Sequence, residues 1–118
     1  NFCVVDAAMN DLVRPAMYDA YMAIVPCTLR QTGAELRAWD VVGPVCESGD
    51  WLGRDRLLDV QPGDHLAVLS AGAYAMSMAS NYNSRPRAAE VMVDGERSFV
   101  IRERESVREL FAHEKLID

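Results

Sequence analysis

The chain has 118 residues, 50% hydrophobic and 25% charged, which is one globular domain's worth and excludes the disordered and fibrous classes. Its 12 Lys and Arg against 18 Asp and Glu leave a net charge of -6, so the chain repels a phosphate backbone and nucleic acid is not an expected partner. The longest apolar-leaning runs, Tyr21 to Cys27 and Leu66 to Met78, are too short or too polar to span a bilayer, which predicts a soluble protein with no membrane partner.

Residue 1 is Asn1, and Phe2 to Ala7 already reads as a strand, so the chain looks cut from something larger. Asn10-Asp11 can cap a short helix running toward Asp19, provided Pro15 lies in its first turn. Further strands are predicted at Tyr21 to Val25, Ala38 to Val42, His65 to Leu69, Ala89 to Val93 and Ser98 to Arg102. Leu57 to Asp64 reads as a short segment and a turn. The last two strands flank Asp94-Gly95, a pair suited to a type I′ hairpin turn. Ser106-Val107-Arg108-Glu109 has the form of a capping box, and Val107, Leu110 and Phe111 follow at helical spacing, which predicts a short terminal amphipathic helix. Several short strands with two short helices predict a compact, mainly β domain of barrel or sandwich type.

Cys3, Cys27 and Cys46 are odd in number and form no C-x-x-C pair, which fits a reducing, cytoplasmic setting better than a disulfide scaffold. His65 and His113 stand far apart in no ligating pattern, so no metal is expected. Three segments stand out from plain scaffold. Arg14 and Tyr18 are four apart, and on a helical turn they share a face that could receive a carboxylate; by spacing alone, an exposed Arg beside a packed Tyr is the commoner arrangement. Gly43 to Asp50 is a Gly- and Pro-bounded loop carrying a thiol and two carboxylates. There Cys46 is either a proton donor, kept protonated by Glu47 and Asp50, or a small buried residue. Small residues around Tyr74, in the run Gly72 to Pro86, let the backbone approach a ligand, or form a polar loop. No phosphate-cradling glycine loop is present.

In order, Asp-Ala-Ala-Met-Asn-Asp-Leu-Val-Arg-Pro-Ala-Met-Tyr (6 to 18), Val-Gly-Pro-Val-Cys-Glu-Ser-Gly-Asp (42 to 50) and Gly-Ala-Tyr-Ala-Met-Ser-Met-Ala-Ser-Asn-Tyr-Asn-Ser-Arg-Pro-Arg (72 to 87) resemble the C-terminal domain of the diaminopimelate decarboxylases. The resemblance covers nearly the whole chain. It implies a β-barrel-like domain of the alanine racemase and decarboxylase type over residues 1 to 118. An N-terminal (β/α)8 barrel, carrying pyridoxal phosphate on a lysine, would be absent from this chain. It further implies a homodimer that converts meso-diaminopimelate to L-lysine and CO2. Arg14 and Tyr18 would hold a substrate carboxylate, Cys46 would enter from the partner subunit as proton donor, Glu47 would meet the substrate's amino end, and Tyr74 would lie at cofactor and substrate. Met22, where many relatives carry His, and Ala75-Met76 depart from the family pattern without touching these five residues.

Two rival readings follow from the same residues. An ornithine or arginine decarboxylase domain would share the fold but give Arg14 no distal carboxylate to bind. A stand-alone β-barrel interaction module would have no catalysis. Lys115 is the chain's one lysine and is not placed as a cofactor anchor, so the fragment alone is expected to be inactive.

Overall fold

A computed structural model describes residues 1–28 and 35–117. Seven strands and two α-helices are formed among them: β1 (Phe2–Val4), α1 (Arg14–Tyr18), β2 (Ile24–Pro26), β3 (Arg37–Val42), β4 (Trp51–Leu58), β5 (Leu66–Val68), α2 (Gly72–Met78), β6 (Glu90–Asp94) and β7 (Arg97–Arg102). Two 3₁₀ turns, Tyr82–Ser84 and Val107–Phe111, complete the described elements. The strands form three separate sheets, ordered β1-β3-β4, β2-β5 and β6-β7. The mainly β expectation holds, in sheets that do not close on themselves among the described residues.

In the first sheet β1 runs parallel to β3, while β3 and β4 are antiparallel. β4 is the longest strand and was not expected. Gly53 and the run Arg54-Asp55-Arg56 hide its alternation, and the structure shows why they are there. Trp39 faces Arg56 and Val41 faces Gly53, so Arg54 and Asp55 together oppose Asp40 as a β-bulge. Asp55 takes the left-handed φ of 51°, and its N–H donates to Asp40 Oδ1 at 3.0 Å. Leu12, Met22, Ile24, Val41, Leu52 and Leu58 form the buried core beneath this sheet.

α1 begins two to three residues later than expected, with Val13 as its N-cap. Asn10 and Asp11 do not cap it: Asp11 Oδ2 accepts from the Ala8 N–H at 3.0 Å, closing a separate turn before the helix. The helix then starts at Arg14 and carries Pro15 in its first turn, where a missing N–H costs nothing. It ends at Asp19, whose φ of 53° is left-handed. The segment after Ser70, read as a possible polar loop, contains a helix, α2, because Ala73, Ala75, Met76 and Met78 favour one.

The β6–β7 hairpin is present, with its turn displaced by one residue. Asp94 pairs with Arg97, so the two-residue loop is Gly95-Glu96, and only Gly95 has a positive φ, at 60°. A positive φ at the first central position alone is the type II′ pattern, not type I′. The capping box forms as expected: Glu109 Oε2 accepts from the Ser106 N–H, and the Ser106 side chain accepts from the Glu109 N–H. It caps a 3₁₀ turn, tighter than the α-helix predicted, and Val107 and Phe111 stay exposed.

Candidate functional site

The three segments singled out in the sequence converge. α1 presents Arg14 one turn before Tyr18, and α2 brings Tyr74 from the far side. The Arg14 guanidinium carbon lies 5.8 Å from the Tyr18 ring centre and 4.6 Å from that of Tyr74. Both rings are about half exposed, so the cation stands in an aromatic frame open to solvent on its remaining side. A guanidinium held by ring faces keeps its N–H edge free for a planar, bidentate acceptor such as a carboxylate. Pairing of Arg14 with Tyr18 was legible from spacing. The contact of Arg14 with Tyr74, sixty residues away, was not.

The loop between β3 and β4 carries Cys46 and Glu47, both exposed. Its shape comes from Asp50, which is only 4% exposed. Asp50 Oδ1 accepts from the Met9 N–H at 2.7 Å and Oδ2 from the Val45 N–H at 3.0 Å. Gly43 lies against the same carboxylate so closely that a Cβ there would stand 2.3 Å from Oδ2. Asp50 is therefore a buried brace between the segment leading to α1 and the thiol loop, rather than a flank of the Cys46 thiol. Glu47 Oε1 accepts from the Gly49 N–H at 3.0 Å, and Oε2 accepts from the Tyr82 hydroxyl at 3.2 Å. That hydrogen bond, and next the charge of the carboxylate, push the Tyr82 phenol above its ordinary value of 10.0. Tyr82 thus stays protonated as a donor at neutral pH. It was not among the sequence candidates, and no spacing rule links it to Glu47.

Between the described residues no hydrogen bond, ion pair or ring contact joins the Arg14–Tyr18–Tyr74 cluster to Cys46 or Glu47. Their supporting segments are joined by Asp50 at Met9 and by the stretch after α2, which reaches Glu47 through Tyr82 and the segment before α1 through Arg85. Arg85 Nε donates to Asn10 Oδ1 at 2.9 Å and its Nη2 to the Asp6 carbonyl at 2.5 Å. Asn81 Nδ2 donates to Glu105 Oε2 at 2.6 Å, and the Arg87 N–H donates to the same oxygen at 2.8 Å. These bonds hold Glu105 below the usual carboxylate range, the Arg87 N–H contributing most and the Asn81 side chain next. Among the described residues there is no group of three or more His, Cys, Asp and Glu that could hold a metal ion. No helix there is long and apolar enough to cross a membrane.

Comparison with known proteins gives the class to which this sheet domain, with its tyrosine-framed arginine and its thiol loop, belongs. Residues 1–72 match the pyridoxal-dependent decarboxylase, C-terminal sheet domain family, and the chain belongs to that family. Its relatives include the diaminopimelate decarboxylase of Vibrio cholerae, 54% identical over 99% of this chain and 28% of that protein. The diaminopimelate decarboxylase of Pseudomonas fluorescens is 55% identical over the same shares. Among solved structures, diaminopimelate decarboxylase from M. jannaschii in co-complex with L-lysine superposes with a TM-score of 0.91 at 44% identity, over 98% of this chain and 26% of that one. The Helicobacter pylori enzyme complexed with L-lysine gives a TM-score of 0.84 at 45% identity, over 94% and 27%. The chain thus spans about a quarter of the length of the relatives it matches.

Proposed function

We propose that this chain is the C-terminal, substrate-reading part of a pyridoxal-phosphate-dependent diaminopimelate decarboxylase, which converts meso-diaminopimelate to L-lysine and CO2. The observation that carries the reading is the Arg14 guanidinium framed by Tyr18 and Tyr74 at 5.8 and 4.6 Å. A substrate with a second carboxylate needs such a receiver, and ornithine or arginine does not. The chain's relatives, named diaminopimelate decarboxylase at 54–55% identity, support the same substrate.

Of the residues present, Tyr74 is the one whose half-exposed ring could flank a bound cofactor ring, and the exposed backbone at Gly72 leaves that side unobstructed. Lys115 follows the last 3₁₀ turn, well apart in sequence from both clusters, and the family resemblance assigns the covalent anchor to an N-terminal barrel domain outside this chain. When bound, pyridoxal phosphate accepts the electron pair left as the α-carboxylate departs as CO2. The roles of this chain's own residues follow from their chemistry. Arg14 binds the distal carboxylate, with Tyr18 and Tyr74 orienting its plane. Glu47 meets the distal ammonium, so the two charges of the substrate's far end are matched by opposite signs. The Cys46 Sγ–H delivers the proton that takes the place of the lost carboxyl group. The family resemblance supplies the rest of the reading: a cytoplasmic homodimer in which the loop bearing Cys46 and Glu47, which among the described residues makes no hydrogen bond, ion pair or ring contact with the Arg14 cluster of its own chain, completes the partner's site.

The test is Arg14→Ala in the full-length enzyme, assayed on meso-diaminopimelate and on ornithine. A bidentate contact to a carboxylate in a closed site is worth about 1.5–3 kcal/mol. The loss on diaminopimelate is therefore about ten- to a hundredfold in kcat/KM, with ornithine turnover little changed. Arg14→Lys restores only part, since an ammonium has no planar fork. Equal losses on both substrates, or a parent enzyme that prefers ornithine, would overturn the reading.

A further inference from the structure

We propose that Tyr82 is a positioning residue for Glu47: its hydroxyl, 3.2 Å from Glu47 Oε2, fixes the carboxylate in the orientation that reads the substrate's distal ammonium. The inference rests on the substrate-facing reading of Glu47 given above.

Glu47 is exposed, and an exposed glutamate samples several rotamers unless something holds it. Two bonds hold this one. The Gly49 N–H is local, two residues on, and engages Oε1. The Tyr82 hydroxyl arrives from thirty-five residues away and engages the other oxygen. With each oxygen on a different donor, the plane of the carboxylate is set, and the lone pairs left over face outward.

The segment that delivers Tyr82 is built to hold it still. Asn83 and Ser84, directly after it, both have left-handed φ values, 61° and 54°. Asn adopts that region readily, but Ser84 does so at a cost, and its backbone persists there only where the surroundings over-determine it. Those surroundings are explicit. Asn81 donates to the Arg85 carbonyl at 3.0 Å and to Glu105, Arg85 is tied to Asp6 and Asn10, and the Tyr82 N–H donates to Ser80 Oγ at 3.3 Å. Asn81, Arg85 and Arg87 thus turn their polar groups toward the rest of the chain. Tyr82 is the member of this stretch whose side chain reaches across to the thiol loop. A strained, multiply stapled turn that ends in one hydroxyl on one carboxylate is what a positioning device requires.

The experiment uses the full-length enzyme with Tyr82→Phe, Glu47→Ala and the double variant, measuring kcat and KM for meso-diaminopimelate. Tyr82→Phe keeps the ring and removes only the donor. It is expected to raise KM about three- to tenfold, with a smaller effect on kcat. In the Glu47→Ala background, Tyr82→Phe is expected to change nothing, because the group it orients is gone. A tyrosine that merely braces the fold would change kcat and KM by the same factors in either background, and that result would overturn the proposal. So would a Tyr82→Phe protein that cannot fold, since the hydroxyl would then serve the scaffold. If Glu47→Ala is impaired while Tyr82→Phe equals the parent, positioning alone is refuted. If Glu47→Ala itself leaves KM unchanged, the substrate-facing reading of Glu47 falls and the inference falls with it.

Discussion

Replacing Asp50 tests whether the thiol loop is held by a buried carboxylate. In Asp50→Ala, the Met9 and Val45 N–H groups lose acceptors now 2.7 and 3.0 Å away. A hydrogen bond to a charged group contributes about 1.5–3 kcal/mol, so the pair is worth about 3 kcal/mol or more. Asp50→Asn keeps one acceptor but turns an amide N–H₂ toward the other donor, so it is expected to lose about half of that. Gly43→Ala approaches the same carboxylate from the opposite side, with Cβ 2.3–2.7 Å from its three terminal atoms. Gly43 is outside the left-handed region, so its substitution costs through overlap alone, about 1–3 kcal/mol. In the Asp50→Ala background the overlapping atoms are absent, and Gly43→Ala is expected to be nearly silent. Urea unfolding followed by Trp39 and Trp51 fluorescence measures each corner of this cycle, and amide exchange at Met9 and Val45 reports the two bonds directly. Additive costs for the two substitutions would refute the reasoning, because atoms that collide cannot act independently. An Asp50→Asn protein as stable as the parent would refute it equally.

Acidification is expected to loosen the 80–87 stretch and the last 3₁₀ turn together. Hydrogen bonds from the Arg87 and Ser106 N–H groups hold Glu105 and Glu109 below the ordinary 4.5, so their stabilisation is complete above that value and is lost as pH falls through the lowered ones; unchanged exchange protection of the Arg87 and Ser106 amides down to pH 3 would contradict this. In the isolated chain at pH 7.5, iodoacetamide should label the exposed Cys27 and Cys46 well before Cys3, whose half-buried thiol is pushed up by burial and next by Asp64; mass spectrometry showing Cys3 labelled first would reverse the assignment. Gly53→Ala is expected to destabilise by about 1–3 kcal/mol, because its Cβ would overlap Arg56 Nε and crowd Ile24 Cδ1 at 2.9 Å; an unshifted urea midpoint would show that β4 gives way freely. Mixing full-length Arg14→Ala with Cys46→Ala subunits should restore decarboxylation in the mixed dimer, where one site regains both groups; no recovery would show that each subunit's site uses its own thiol loop.

What could be read in the sequence were patterns confined to a few neighbouring residues. The Arg14–Tyr18 pairing is an i, i+4 relation, the Ser106–Glu109 box an i, i+3 relation, and the β6–β7 hairpin a strand alternation around a turn. Each needed only local geometry. β4 was missed because Gly53 and Arg54-Asp55-Arg56 serve a bulge, and a bulge breaks the alternation by which a strand is recognised. α2 was missed because Gly72 and the small residues around Tyr74 read as room for a ligand before they read as helix formers. Asp50 was placed beside the thiol on sequence adjacency. Its direction is set by donors at Met9 and Val45, and a contact spanning forty-one residues leaves no local trace.

These misreadings share one physical origin. In the family-like segments, residues of similar chemistry have different tasks, decided by the partners each side chain finds. Asp50 and Glu47 are both carboxylates of one loop, yet the first is 4% exposed and answers two backbone N–H groups, while the second is held open by Gly49 and Tyr82. Arg85 and Arg14 are both cations, yet Arg85 is tied to Asp6 and Asn10, while Arg14 is framed by rings that leave its donors unused. Tyr74 and Tyr82 sit eight residues apart on one α2-to-turn stretch, and each meets a different cluster. A motif that reads as one functional unit is therefore half scaffold and half site. Substitutions in its buried half are expected to act on stability, and those in its exposed half on substrate binding, even where the two residues are neighbours in the chain.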